Sequence, residues 1–174
     1  MQSRDLLTYA FEQIQGTLRR ALDGLTAEQL SARVGPEANP IGWLAWHLLR
    51  VQDDHVAEVA GRGQAWTEEG WADRFGLPFD PSATGYGFSA DDVAATRVPS
   101  AELLLDYAGA VHARTAQFLG GLSDDDLDRV VDTRWDPPVT LGVRLVSVLQ
   151  DVLEHAGQAA FLRGVLERRE GASG

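Results

Sequence analysis

Asp151 and His155 stand four residues apart in the stretch Gln150-Asp151-Val152-Leu153-Glu154-His155. On a helix that spacing places both side chains on one face, about one turn apart. The stretch lies inside an apolar repeat of Leu141, Leu145, Val148, Val152, His155, Ala159, Leu162 and Leu166, whose steps alternate four and three. This is the pattern of an amphipathic helix in a bundle, and it gives His155 a position reserved for core. A carboxylate and an imidazole aimed at a core need partners, because unpaired buried polar groups are costly. A bound metal ion would supply them, and so would a closed hydrogen-bond network. His47 lies at the middle of another helical pattern, and bundle metal sites are built from inward side chains on facing helices. His112 has no acidic residue or His four positions away. His55, eight residues after His47 and on a similar face, reads as a core or supporting group.

Four elements must position these residues. The first helix spans 3–23, with the stripe Leu7, Phe11, Ile14, Leu18, Leu22 and a stop at Gly24. Thr26-Ala27-Glu28-Gln29 is a capping box that opens one helical turn. Asn39-Pro40 starts the second long helix, with Asn39 as N-cap and Pro40 at the first helical position. Its stripe is Leu44, Leu48, Val51, His55, Val59, and it ends near Gly61-Arg62-Gly63. Residues 64–98 are irregular and rich in aromatics and turn residues. Within them Thr67 is a candidate cap for a short helix over 68–74, and Ser89 for another ending at Ala95. A connection of that length and composition reads as a packed functional loop. The third helix spans 100–119 and stops at Gly120-Gly121. The fourth starts after Asp136-Pro137-Pro138 with Thr140 as N-cap, and Arg168, Arg169 and Gly171 mark its end. Gly24-Leu25-Thr26-Ala27-Glu28-Gln29-Leu30 is echoed by Gly121-Leu122-Ser123-Asp124-Asp125-Asp126-Leu127, which suggests two helical hairpins of similar build.

Four long amphipathic helices without a convincing strand predict an all-α four-helix bundle, a single domain over residues 1–174. The 64–98 connection between helices two and three is long enough to be a crossover, so up-up-down-down and a simple meander are both open.

Bulk properties narrow the function. The net charge is −11, which argues against nucleic acid and anionic membrane surfaces as partners. All fifteen basic residues are Arg. There is no Cys, hence no disulfide, no thiolate ligand and no Cys nucleophile. The first residues run straight into an amphipathic pattern, and the apolar runs are too short to span a bilayer, so a cytoplasmic protein is expected.

With His47 in Trp46-His47-Leu48, and with Asp151-Val152-Leu153-Glu154-His155-Ala156-Gly157-Gln158 followed by Phe161-Leu162-Arg163, the chain resembles the DinB superfamily of four-helix metalloproteins over essentially its whole length. The acidic first residue of the helix-four signature is similar to the branch of mycothiol-dependent maleylpyruvate isomerase, as are Phe75-Gly76-Leu77-Pro78 and Thr84-Gly85-Tyr86-Gly87. That branch usually carries Glu where this chain has Asp151, one methylene shorter. The resemblance implies a divalent metal, zinc or alternatively nickel, held by His47, Asp151 and His155. Three protein ligands leave one position open, which is the catalytic pattern. It also implies a low-molecular-weight thiol, mycothiol or a similar molecule, as cosubstrate and a small electrophile as acceptor. A metal-coordinated thiol is deprotonated, and the thiolate is the nucleophile. Arg163 is the candidate anchor for a cofactor or substrate carboxylate, with a salt bridge near the bundle end as its other reading. A homodimer is compatible with the resemblance.

Two other functions fit the same residues. One is a non-catalytic metal-binding protein, with the fourth position closed by Gln158 or Glu154. The other is a metal-dependent hydrolase, with Asp54 or Glu58 as general base.

Overall fold

The computed structural model describes residues 1–171. Four long helices form the bundle: α1 (Ser3–Leu22), α3 (Ile41–Ala60), α7 (Ala101–Gly120) and α8 (Leu141–Gly171). Short helices fill the connections: α2 (Ala27–Ser31), α4 (Ala65–Glu68), α5 (Trp71–Phe75) and α6 (Ala90–Ala95). A two-stranded antiparallel ribbon, β1 (Val130–Asp132) with β2 (Val139–Thr140), leads into α8. The expected all-α bundle is therefore present, with this small ribbon added.

Each long helix packs against two others, α1 and α3 both lying between α7 and α8. Directions follow from cross-helix contacts. Ser3 at the start of α1 meets Asp124, just beyond the end of α7. Arg163 on α8 meets Arg20 and Asp23 at the end of α1. His55 on α3 meets Arg144 near the start of α8, and Arg62 beyond α3 meets Arg114 late in α7. The order is thus up-down-down-up, neither up-up-down-down nor a meander. The 61–100 segment returns the chain to the end where α3 began, so α7 runs parallel to α3.

The core is the inward stripes: Phe11, Ile14, Leu18 and Leu22 of α1, Leu44 and Leu48 of α3, Leu104, Tyr107 and Val111 of α7, and Leu141, Leu145, Val148 and Val152 of α8, all buried. Burying one such aliphatic side chain is worth about 1.5–3 kcal/mol against leaving it exposed. Most caps match the expectations: Thr26 with Gln29, Ser89 with Asp92, and Thr140 accepting from Val143 N.

Two caps differ. Pro40 is itself the N-cap of α3 and Ile41 the first helical residue. Thr67 caps nothing; its hydroxyl donates to the Gln64 carbonyl. The start of α4 is held instead by a distant residue, Asp53 of α3, which accepts from the Ala65 and Trp66 amides at 3.0 and 2.8 Å. Asp53 also accepts from the Tyr107 hydroxyl at 2.9 Å and lies 3.8 Å from Arg50. Arg50 is fully buried and donates to the Pro81 and Ala83 carbonyls and to Gln64. This buried pair fastens the loop of residues 64–88 onto α3, which is what brings Thr84 to the functional face. No helix among the described residues is long and apolar enough to cross a membrane.

Candidate metal centre

His47, Asp151 and His155 converge between α3 and α8, with one donor atom from each lying within 4.8 Å of the others. The two imidazole centroids are 5.0 Å apart at 72°. Antiparallel packing of α3 on α8 sets this meeting, because both residues sit mid-helix at the same level. Trp43, one turn before His47, stacks on its ring at 4.7 Å and 13° and presents an edge to His155.

Hydrogen bonding fixes which nitrogen each ring offers. His47 Nδ1 lies 2.6 Å from the Thr84 carbonyl. A carbonyl only accepts, so Nδ1 carries the proton and Nε2 keeps its lone pair. His155 Nδ1 likewise donates to Gln158 Oε1 at 2.9 Å, again leaving Nε2 free. Such partners on the remote nitrogen hold a metal-binding imidazole in tautomer and orientation. Burial, the larger influence, lowers the pKa of His47 and keeps it neutral, with His155 acting in the same direction and the Thr84 bond and Asp151 against it.

Asp151 completes the set. Its Oδ1 stands 3.8 Å from His155 Nε2, and its Oδ2 is buried without a hydrogen-bond partner among the described residues. An orphaned buried carboxylate oxygen is costly. A closed hydrogen-bond network would have satisfied it; two imidazole lone pairs and an unpartnered carboxylate oxygen instead match the donor set of a divalent cation.

The His47 clamp needs a glycine. Gly85 has φ +92°, and a Cβ there would stand 2.9 Å from His47 Nδ1 and 3.0 Å from Trp46 Cζ3. Only glycine lets the Thr84-Gly85 backbone come this close without strain.

The centre opens into a groove of about 950 Å³ along α3 and α8, lined in part by His47, His55, Arg62, Arg144 and Asp151. Tyr86 and Trp135, both largely exposed, stand on its rim. Beneath the β-ribbon, Arg144 bonds Glu58 at 2.8 Å and Asp132 at 3.1 Å. Hydrogen bonds from the Arg134 side chain and backbone hold the Asp132 carboxyl far below its ordinary pKa, with both guanidiniums adding to the effect.

The other candidates fall elsewhere. Arg163 is not brought to the groove: its guanidinium donates to the Arg20 and Asp23 carbonyls at the end of α1 and to Glu167. It closes the C-terminal end of α1, as cations at helix ends do. Gln158 is engaged by His155 and Glu154 by Gln150. His112 lines a separate small cavity among α1, α3 and α7. Thr84, Gly85 and Arg62 escaped the sequence reading as site residues, because loop positions carry no periodicity. Arg144 was findable, since 144, 148, 151 and 155 continue one helix face.

Comparison with known proteins agrees with this architecture. The family model described as the DinB superfamily matches residues 10–159. A crystal structure of a conserved protein from Enterococcus faecalis superposes with a TM-score of 0.87 at 27% sequence identity, covering 94% of this chain and 96% of that one. No curated protein matches.

Proposed function

The chain belongs to the DinB superfamily, whose members typically bind metal, and on that premise we propose that His47, Asp151 and His155 hold a divalent cation, zinc or nickel, for thiol-dependent transfer or isomerisation. The observation that carries the metal is the pairing of two free Nε2 lone pairs with the unpartnered Asp151 Oδ2. When bound, such an ion lowers the pKa of a thiol or water in its open position.

The chain's own residues do the rest. Thr84 and Gln158 keep both rings in the ligating tautomer. Trp43 walls the centre and limits water. The groove beside the ligands gives a small molecule room to lie against them. The thiol must be a separate low-molecular-weight molecule, since the chain has no Cys. A mycothiol-like thiol attacking a small electrophile is the reaction proposed.

The hydrolase alternative needs a free base. Asp54 is engaged by Gln64 and Glu58 by Arg144, so neither is poised for that role. The non-catalytic alternative needs a closed fourth position, and both side chains expected to close it are occupied by neighbours on α8.

The test is elemental analysis of chelator-treated and reconstituted protein, followed by a panel of thiols against several electrophiles. One bound ion per chain and metal-dependent thiol consumption are expected. Metal without turnover by any thiol would leave a binding protein, and no metal would end the proposal.

A further inference from the structure

The groove extends well beyond the metal centre. From His47 to Arg62 there are fifteen positions along and just past α3, about 20 Å at the helical rise of 1.5 Å per residue. Its charges are nearly all matched. Arg134 and Arg144 pair with Asp132, and Arg144 also pairs with Glu58. Asp151 belongs to the metal centre, and Asp54 accepts from Gln64.

Arg62 is different. It lines the groove and is half-buried, yet has no carboxylate within 4 Å among the described residues. Its terminal nitrogens reach the Arg114 carbonyl and Gln117 Oε1, and its Nε–H is buried with no acceptor among the described residues. Burial, then the nearby Arg114 charge, disfavours the guanidinium's charged form, and the Asp53 and Glu68 carboxylates oppose them from beyond ion-pair distance. In a chain with a net charge of −11, a half-buried guanidinium with no carboxylate in direct contact among the described residues is unexpected.

A second donor lies midway. His55 Nδ1 is 3.3 Å from Arg144 Nη1. A guanidinium only donates, so His55 accepts on Nδ1 and carries its proton on Nε2, the opposite tautomer to His47 and His155. The groove therefore offers metal-ligating lone pairs at one end, an imidazole N–H donor about 12 Å along, and at the far end a guanidinium with no carboxylate in direct contact.

We propose that the groove binds an elongated small molecule with an oxyanion, carboxylate or phosphate, at the end remote from the metal, and that Arg62 is the residue that receives it. The orientation of that ligand rests on the metal reading above, while the anion site rests on Arg62 alone. This places anion recognition on the α3 side of the groove, and not at Arg163.

The test uses 15N-labelled full-length protein, with and without reconstituted metal, titrated with inorganic phosphate in one arm and glutarate in the other. Saturable shifts of the Arg62 Nε–H and the Gly63 amide are expected, in chelator-treated protein as well. The arm that saturates at lower concentration identifies the oxyanion. Arg62→Gln should weaken binding at least tenfold by the Gly63 shift, and Arg62→Lys should restore part of it. Thermal melting of each variant without anion separates loss of binding from loss of fold. Equal binding by Arg62→Gln, or shifts confined to Arg168 and Arg169, would overturn the proposal. Imidazole 15N spectra should show His55 as the Nε2–H tautomer, and the Nδ1–H form would remove the midway contact. A protein that binds anion at Arg62 but no metal refutes only the metal reading; one that binds metal but no anion refutes only this one.

Discussion

Replacing Asp151 by Ala should change stability in opposite directions with and without metal. In the metal-free protein Asp151 Oδ2 is buried and unpartnered, which costs about 1–3 kcal/mol for a fully enclosed group. The side chain as a whole is 38% exposed, so solvent screening reduces the relief on removing it to at most about 1 kcal/mol. Asp151→Ala should therefore melt at the same temperature as the parent in excess chelator, or up to about 2–4 °C higher. With metal the sign reverses. At a free metal concentration 100 times Kd, binding adds about 2.7 kcal/mol to the parent, or about 5–11 °C for a chain of this size. Removing a ligand costs at least the roughly 100-fold upper range seen for groups that merely orient ligands. At the same free metal the variant would then gain only about 0.4 kcal/mol, a shift of about 1–2 °C. Asp151→Glu should keep most of the parent's metal shift, since it restores a carboxylate with one more methylene of reach. The assay is thermal melting in chelator and at fixed free zinc, read beside metal content. An Asp151→Ala protein with the parent's full zinc shift would refute the assignment of the third ligand.

Gly85→Ala should cost about 1–2 kcal/mol from its left-handed backbone alone, and lower metal affinity about 10–100-fold by displacing the group that orients His47. A melt in chelator separates the first effect and a metal titration reads the second. Unchanged affinity would show that the Thr84 clamp is dispensable. Burial lowers the pKa of His47 from its ordinary 6.5, so the unfolded chain takes up this proton first as pH falls. The metal-free protein should thus keep the full contribution above about pH 6.5 and lose it as pH drops through the folded pKa. His47→Gln should flatten that limb of the melting-temperature profile, and an unchanged slope would assign the limb to other groups. Asp53→Ala should destabilise by about 3–5 kcal/mol, because it leaves Arg50 buried without its carboxylate and strips the Ala65 and Trp66 amides of their acceptor. Denaturant melts would show it, and a loss under 1 kcal/mol would mean that water replaces the carboxylate.

Periodicity reveals what a helix does with its own side chains, and that is why so much of the bundle was legible. The four-and-three steps through Val148, Val152 and His155 placed Asp151 and His155 on one inward face, and the structure keeps them there. Periodicity carries no information about which helix lies opposite. The up-down-down-up order depends on a crossover whose attachment is made by Asp53 and Arg50, two charged residues inside α3 that any hydropathy pattern assigns to solvent. They are buried because each satisfies the other and because the loop's own backbone groups complete their hydrogen bonding. Arg163 fails as a groove residue for a related reason. Its position two turns after His155 is right in sequence, but the parallel end of α1 presents unpaired carbonyls beside it, and a guanidinium bonds the nearest acceptors. Arg62 gained its place because α3 ends at Gly61 in a left-handed turn. That turn carries the next side chain off the helix and against the groove, a consequence of backbone geometry at one glycine that residue spacing along α3 cannot express.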